Sequence, residues 1–199
     1  MKTHISKIFD SECKKRVELV SGLKLGSKIH LSATCGTGMS AVLKLLKDAG
    51  FYCTGSDKAF YPPMGSVVKD LADEIFEGYN SSNIAKDVDL VVIGNALSIG
   101  NPEVQYVLEN KIPYASMAEV FSALLIGKRE YCAKSIVVTG THGKTTTTSM
   151  VTELLEASNR KPGYFIGAIP TNLPSGLRMV SENLKPIDRT VVLLSLIHI

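Results

Sequence analysis

From Lys28 onward, short apolar runs alternate with stretches whose apolar residues recur at helical spacing. This alternation narrows the fold more than any other feature, because strand–helix–strand repeats pack as parallel sheets with helices on their faces. "KIHLSA" reads as a strand. In "MSAVLKLLKDAG", Met39, Val42, Leu43, Leu46 and Ala49 share one helix face, Lys44, Lys47 and Asp48 lie elsewhere, and Gly50 is the stop. "FYCTG" is a second strand. Leu90 to Ile93 in "DLVVIGNA" are all apolar, which suits a strand covered on both faces. "NPEVQYVLEN" predicts a helix with Asn101 as N-cap and Pro102 at its first position. "IPYAS" and "AEVFSALLIG" add a strand and a helix. After the charged linker "GKREYCAK", "SIVVTG" opens a new strand–loop–helix unit. The expected architecture is a doubly wound α/β sheet, with a domain boundary near residues 127–134.

Composition sets the outer limits. The 199 residues suffice for one domain, or for one and part of another. A net charge of +3 is too small to imply nucleic acid or a membrane surface as partner, and Lys14-Lys15-Arg16 reads as a solvated helix face. No apolar run nears the roughly 18 residues of a membrane span. "MKTHISKIFDSECKK" lacks the continuous apolar stretch of a signal peptide. Cys13, Cys35, Cys53 and Cys132 form no C-x-x-C pair, and widely spaced thiols suit a reducing cytosol. Residues 1–27 read as an extension. Within it "DSECKKRVELVSG" predicts a short helix, with Asp10 or Ser11 as N-cap and Gly22 after its end.

Chemistry is expected in the loops that follow strands, since ligands of open α/β sheets sit outside the carboxyl ends of the strands. After the first strand comes Ala33-Thr34-Cys35-Gly36-Thr37-Gly38-Met39. Only Gly38 fits the dinucleotide pattern G-x-G-x-x-G, so that fingerprint fails. Gly36 and Gly38 still permit close backbone approach, and a helix opening near Met39 offers free N–H groups to a phosphate. Asp57, ending the strand in "TGSD", can reach a ribose hydroxyl. A tight turn that binds nothing is an equal alternative. Asn95, Ser98 and Asn101 are polar groups in the loop after Ile93, and each is as well explained as a turn former or cap.

"SIVVTGTHGKTTTTSM" is the strongest motif. Gly-Lys-Thr after an apolar run reads as a phosphate loop, although the usual upstream glycine is absent: position 138 is Val and the nearest glycine is Gly140. Ile136, Val137 and Val138 are expected to form a buried strand. Gly140 and Gly143 free the backbone, Lys144 can place its charge on phosphates, and Thr145 can offer a hydroxyl to Mg2+. The helix that follows has Met150, Val151, Leu154 and Leu155 as its apolar stripe, and Thr145 to Thr148 as its first turn. Threonine is poorer than alanine in a helix by roughly 0.5 kcal/mol, so four in succession point to phosphate and metal rather than helix stability.

"TGTHGKTTTT" resembles the ATP loop of the Mur ligases, Gly-Thr-x-Gly-Lys-Thr/Ser, which accounts for the missing upstream glycine. His142 resembles the branch of that family acting on the carboxylate of UDP-N-acetylmuramate. "IHLSATCGTGMSAVLKLLKDAGFYCTGSD" is similar to that branch's UDP-binding domain, with Ala33 where the first glycine usually stands. The resemblance runs from about Lys28 to about Leu193. It implies a Rossmann-like parallel-sheet UDP-sugar-binding domain over 28–130, then the truncated start of a P-loop ATPase domain over 131–193.

The implied chemistry is ATP-driven amide formation: ATP phosphorylates the muramate carboxylate, and the amine of an incoming peptide displaces phosphate from the acyl phosphate. Lys144 and Thr145 carry the catalytic roles, with Thr145 on Mg2+. Gly140, Thr141, His142, Gly143, Lys144, Thr145 and Thr146 surround ATP. Gly36, Thr37, Gly38, Met39, Ser56, Asp57 and Asn95 hold the UDP-sugar. "CGTGM", "YPPM", "VIGNALSIGNPEV" and "KPGYFIGAIP" look like members that attach the murein tripeptide L-Ala-γ-D-Glu-meso-diaminopimelate, although Ile99 stands where these often have a basic residue. L-alanine is the alternative amine. A non-catalytic nucleotide-binding module and an ATPase that moves a partner are the readings from other classes. "LSLIHI", residues 194–199, departs from the family where an acidic segment helping to hold Mg2+ is expected, and coincides with a reading frame of a shotgun-library transposon adapter. The expectation is an adapter translated at the end of a fragment that has no ligase activity by itself.

Overall fold

A computed structural model of the chain describes residues 4–126, 134–168, 170–173, 175–180 and 188–195. The chain divides into two compact units, Met1–Leu124 and Leu125–Ile199. The boundary expected near 127–134 lies outside the described residues, apart from Lys134.

The first unit runs α1 (His4–Ser21), β1 (Lys28–Ser32), α2 (Thr37–Asp48), β2 (Tyr52–Asp57), α3 (Met64–Leu71), β3 (Glu74–Glu77), β4 (Leu90–Ile93), α4 (Pro102–Glu109), β5 (Tyr114–Ser116) and α5 (Met117–Phe121). Its sheet has the order β3-β2-β1-β4-β5, and every pairing is parallel. The central strands are the most buried: Ile29, Leu31, Cys53, Leu90, Val91 and Val92 are almost wholly covered. Met39, Val42, Leu43, Leu45 and Leu46 of α2 join them as the apolar face read from the sequence, with Leu45 added. Strand order reverses between β1 and β4, which places the loops after β1 and β4 on either side of a crevice at the carboxyl edge of the sheet.

Two features of this unit depart from expectation. The N-terminal helix begins at His4, so Asp10 and Ser11 lie inside it rather than at its cap, while Gly22 does follow its end. No glycine or proline interrupts residues 4–21, and helix propagation carries through a local cap signal when nothing breaks it. The helix is docked: Arg16 Nε donates to Glu119 Oε1 at 2.8 Å, and its guanidinium lies 5.5 Å from the centre of the Tyr114 ring. Glu119 Oε2 at the same time accepts the Ser116 N–H at 2.7 Å, completing a capping box at the start of α5. The second departure is α3 and β3, which no sequence pattern announced. A short helix follows the Pro62–Pro63 pair, and β3 is an edge strand of four residues, only partly buried.

Asp73, between α3 and β3, ties α2 to β2. Its Oδ2 accepts the Cys53 N–H at 2.7 Å and Lys47 Nζ at 2.7 Å. Burial pushes this carboxyl up, but the two donors outweigh it and hold it below the ordinary carboxylate value. A depressed folded value contributes stability that is present above the unfolded value, about pH 4, and lost as pH falls through the folded one. Acidification from pH 5 to pH 2.5 is therefore expected to lower the urea midpoint, and Asp73→Asn to flatten part of that fall. An identical acid limb in both proteins would disprove the assignment.

The second unit contains β6 (Lys134–Val138), α6 (Lys144–Ala157), β7 (Gly163–Phe165), β8 (Leu177–Arg178) and β9 (Thr190–Leu194), in the order β6-β9-β7-β8. The pairs β6–β9 and β7–β9 are parallel and β7–β8 is antiparallel, so this sheet is mixed rather than purely parallel. The expectation of a buried first strand fails: Ile136 and Val137 are 39% and 55% exposed, and among the described residues β6 stands at the sheet edge and pairs with β9 alone. The expected stripe on α6 is also only half right. Val151 and Leu155 pack against Tyr164, Ile166 and Val192, whereas Met150 and Leu154 are exposed. The buried face is Thr148-Val151-Thr152-Leu155, a regular helical spacing in which two positions are threonine. Leu194 closes β9 opposite Val138, and the Ser195 N–H donates to the Val138 carbonyl. Residues 196–199 lie outside the described residues.

Candidate functional site

In the first unit the chain leaves β1 through Ala33, held at φ +68°. That left-handed conformation costs a residue with a Cβ about 1–2 kcal/mol, and explains why a glycine would suit the position. The turn is braced from β2. The N–H groups of Ala33 and Thr34 and the Thr34 hydroxyl all donate to the Ser56 carbonyl. The Cys35 N–H donates to Asp57 Oδ2 at 2.7 Å. Gly36 is then the N-cap of α2, and no side chain caps the helix. The first-turn N–H groups of α2 lack intrahelical acceptors, and with Gly36 and Thr37 exposed they face solvent as a ready anion site.

The expected residues divide by what the fold does with them. Gly36 has room for a side chain, since a Cβ there would meet nothing closer than 3.9 Å, so packing within the protein does not require glycine. Gly38 is different: a Cβ would lie 2.5 Å from Met117 Sδ, so glycine lets α2 and α5 approach. The Met39 side chain belongs to the core. Ser56 is wholly buried, and its hydroxyl donates to Glu103 Oε2 at 2.7 Å. Asp57 already accepts from Cys35, from its neighbour Lys58 N–H and from the Tyr79 hydroxyl, so three of about four acceptor positions on the carboxylate are taken. The adjacent charge and burial act on the partners: burial, then Asp57, push the Cys35 thiol up to about 11 and the Tyr79 phenol up to about 12. Asn95 is exposed in the loop after β4, as is Ile99.

A buried polar cluster beneath this loop went unread. Glu103, at the first turn of α4, is fully buried. Its Oε2 accepts from Ser32 Oγ at 2.6 Å and Ser56 Oγ, and its Oε1 accepts from Asn83 Nδ2 at 2.8 Å. His30, also fully buried, places Nε2 3.5 Å from Oε2, while Nδ1 lies 2.8 Å from the Thr54 hydroxyl. Burial pushes the Glu103 carboxyl up, and the contacts with His30, Ser32 and Ser56 outweigh it, holding the group below its ordinary value. The available signal was a histidine flanked by Ile29 and Leu31 in the strand "KIHLSA".

In the second unit the loop between β6 and α6 contains Gly140 at φ +146° and Gly143 at φ +75°. Gly143 is the N-cap of α6, with no side-chain cap and nothing within 4 Å of where a Cβ would stand. Lys144 folds back over this loop, its Nζ donating to the Gly140 carbonyl at 2.7 Å and the Thr141 carbonyl at 3.2 Å. Thr141, His142, Thr145 and Thr146 are exposed around it. Thr148 departs from the reading of four phosphate-facing hydroxyls: it is buried and donates to the Lys144 carbonyl at 2.7 Å. An uncapped helix start, an open glycine hinge and a lysine held at the loop fit a polyphosphate. Among the described residues no group of three or more His, Cys, Asp or Glu side chains could hold a metal ion.

Comparison with known proteins gives these two loops a common context. Residues 28–129 match the Mur ligase family, catalytic domain, and residues 138–192 match the Mur ligase middle domain. Over 145 residues the chain is 41% identical to the UDP-N-acetylmuramate--L-alanyl-gamma-D-glutamyl-meso-2,6-diaminoheptandioate ligase of Escherichia coli (strain K12), covering 73% of this chain and 31% of that one. Over 142 residues it is 37% identical to the UDP-N-acetylmuramate--L-alanine ligase of Acidithiobacillus ferrooxidans (strain ATCC 53993 / BNL-5-31), covering 70% of this chain and 29% of that one. A solved UDP-N-acetylmuramate:L-alanyl-gamma-D-glutamyl-meso-diaminopimelate ligase from Neisseria meningitides superposes with a TM-score of 0.74 at 30% identity, covering 84% of this chain and 52% of that chain. The chain thus spans about a third of the length of the curated relatives it matches.

Proposed function

Because the chain belongs to the Mur ligase family, we propose that it carries the UDP-sugar-binding and ATP-binding parts of an amide ligase. The ligase joins the tripeptide L-Ala-γ-D-Glu-meso-diaminopimelate to UDP-N-acetylmuramate in murein recycling. Two uncapped helix starts, Gly36 before α2 and Gly143 before α6, carry the reading, since each presents backbone N–H groups to an anion from its own unit. The first receives the UDP-sugar at Gly36, Thr37, Gly38 and the loop bearing Asn95. The second receives ATP at Gly140 to Thr146. ATP, with Mg2+, supplies the phosphoryl group that activates the muramate carboxylate. Lys144 neutralises phosphate charge there, and Thr145 offers its hydroxyl to the metal. His142 lies beside the phosphates. A UDP-sugar and ATP as substrates place the reaction in the cytoplasm, and among the described residues no helix is long and apolar enough to cross a membrane.

The tripeptide is preferred to L-alanine as amine because 41% identity to the tripeptide ligase exceeds 37% to the L-alanine ligase. The test uses a polypeptide of the relatives' full length that carries this sequence, with ATP and UDP-N-acetylmuramate, and follows phosphate release. The tripeptide is expected to give a kcat/KM at least about tenfold above that of L-alanine, a difference of roughly 1.4 kcal/mol in transition-state binding. The reverse ranking would assign the chain to L-alanine ligation. No release with either amine would favour a nucleotide-binding module.

A further inference from the structure

Glu103 sits where several strand ends meet. Ser32 and Ser56 are register partners at the carboxyl ends of β1 and β2, and one Glu103 oxygen accepts from both hydroxyls. From Ser56 the connection continues upward, because its carbonyl takes the N–H groups of Ala33 and Thr34. The other Glu103 oxygen accepts from Asn83 Nδ2, which also donates to the Gly78 carbonyl at 2.9 Å. The next residue, Tyr79, donates its hydroxyl to Asp57, and Asp57 holds the Cys35 N–H. Two hydrogen-bonded routes therefore leave one buried carboxylate and converge on residues 33–35.

We infer that Glu103 is a positioning residue for the nucleotide-sugar loop: it fixes the ends of β1 and β2 and the turn after β3, and through them the backbone that opens α2. This rests on residues 33–38 being the UDP-sugar site. A carboxylate is an expensive way to fill a core, and well-packed apolar side chains often serve as well or better where packing is the only demand. What a carboxylate adds is several directed acceptor positions, and here the donors come from the strand and turn ends at the ligand edge.

Glu103→Gln is the decisive variant, since it keeps the shape and one acceptor oxygen. Ser56→Ala is the second, removing a single donor. Amide hydrogen exchange by NMR and titration with UDP-N-acetylmuramate are measured on this chain and on both variants. E103Q is expected to lower protection at Ala33, Thr34 and Cys35 by tenfold or more and leave Leu31 and Val92 unchanged. Its Kd for UDP-N-acetylmuramate is expected to rise about tenfold. S56A is expected to act in the same direction by about threefold. A purely structural role would lower protection of the loop and the strand amides together, and that outcome overturns the inference, as does a loosened loop with unchanged Kd. If the unsubstituted chain binds no UDP-N-acetylmuramate, the assignment of the UDP-sugar site fails, and the exchange pattern alone still decides whether Glu103 positions the loop.

Discussion

Lys144→Ala is expected to weaken binding of ATP with Mg2+ by roughly 100-fold, the loss typical of removing a charged donor aimed at developing or fixed negative charge. The ammonium rests on the Gly140 and Thr141 carbonyls. It is the lysine of a cradle whose other residues are Gly140, Thr141, His142 and Gly143. Its charge adds to the attraction of the backbone N–H groups there. Isothermal titration of the chain and the variant makes the comparison. Lys144→Arg restores the charge but not the compact point geometry, and is expected to recover only part of the affinity. Equal affinity in all three proteins would rule out the assignment of this loop.

Glu103→Ala carries the largest expected cost in stability, about 3–5 kcal/mol, in the range seen when one partner of a buried charged network is removed. The arithmetic is local. The buried Ser32 Oγ and Ser56 Oγ lose their shared acceptor, and Asn83 Nδ2 keeps only the Gly78 carbonyl. Each buried donor left unpaired costs about 1–3 kcal/mol, and His30 loses the carboxylate 3.5 Å away. Against a typical stability of about 5–15 kcal/mol the variant is expected to unfold at a much lower urea concentration. Circular dichroism across a urea series reads this directly. A midpoint within experimental error of the unsubstituted protein would show that the cluster repacks or hydrates at little cost.

Much of the first sheet was legible because its strands are short, apolar and separated by helices with clear stops. Leu90 to Ile93 and the Asn101–Pro102 helix start were read to the residue. What escaped has two physical causes: partial burial gives weak patterning, and a very short strand gives too few residues for any pattern. Glu74 to Glu77 is an edge strand with charged ends, and Gly163 to Phe165 is three residues long. On α6 the expected stripe of Met150, Val151, Leu154 and Leu155 is half exposed, and Thr148 and Thr152 complete the buried face, their hydroxyls bonding back to the helix carbonyls so that threonine is an acceptable core residue. The site was legible as loops and less so as side chains. Glycines and the lysine mark where a backbone must bend or a charge must stand. By contrast, Ser56 and Asp57 end β2, and their side-chain polar atoms are taken up by Glu103, Cys35 and Tyr79. Tertiary partners of that kind leave no local signature.

The docked N-terminal helix bears on how the chain tolerates trimming. A polypeptide begun at Lys28, where the family match starts, would retain every strand of the first sheet and lose Arg16. Glu119 is only 6% exposed beside that helix; without it the carboxylate would keep the Ser116 cap but lose its countercharge at Oε1 and part of its cover. The damage would surface far from the cut in sequence, as fraying at the beginning of α5 and at the end of β5. Residues ahead of the recognisable domain act as its counterion, and the shortest chain that looks complete is not the shortest that holds together.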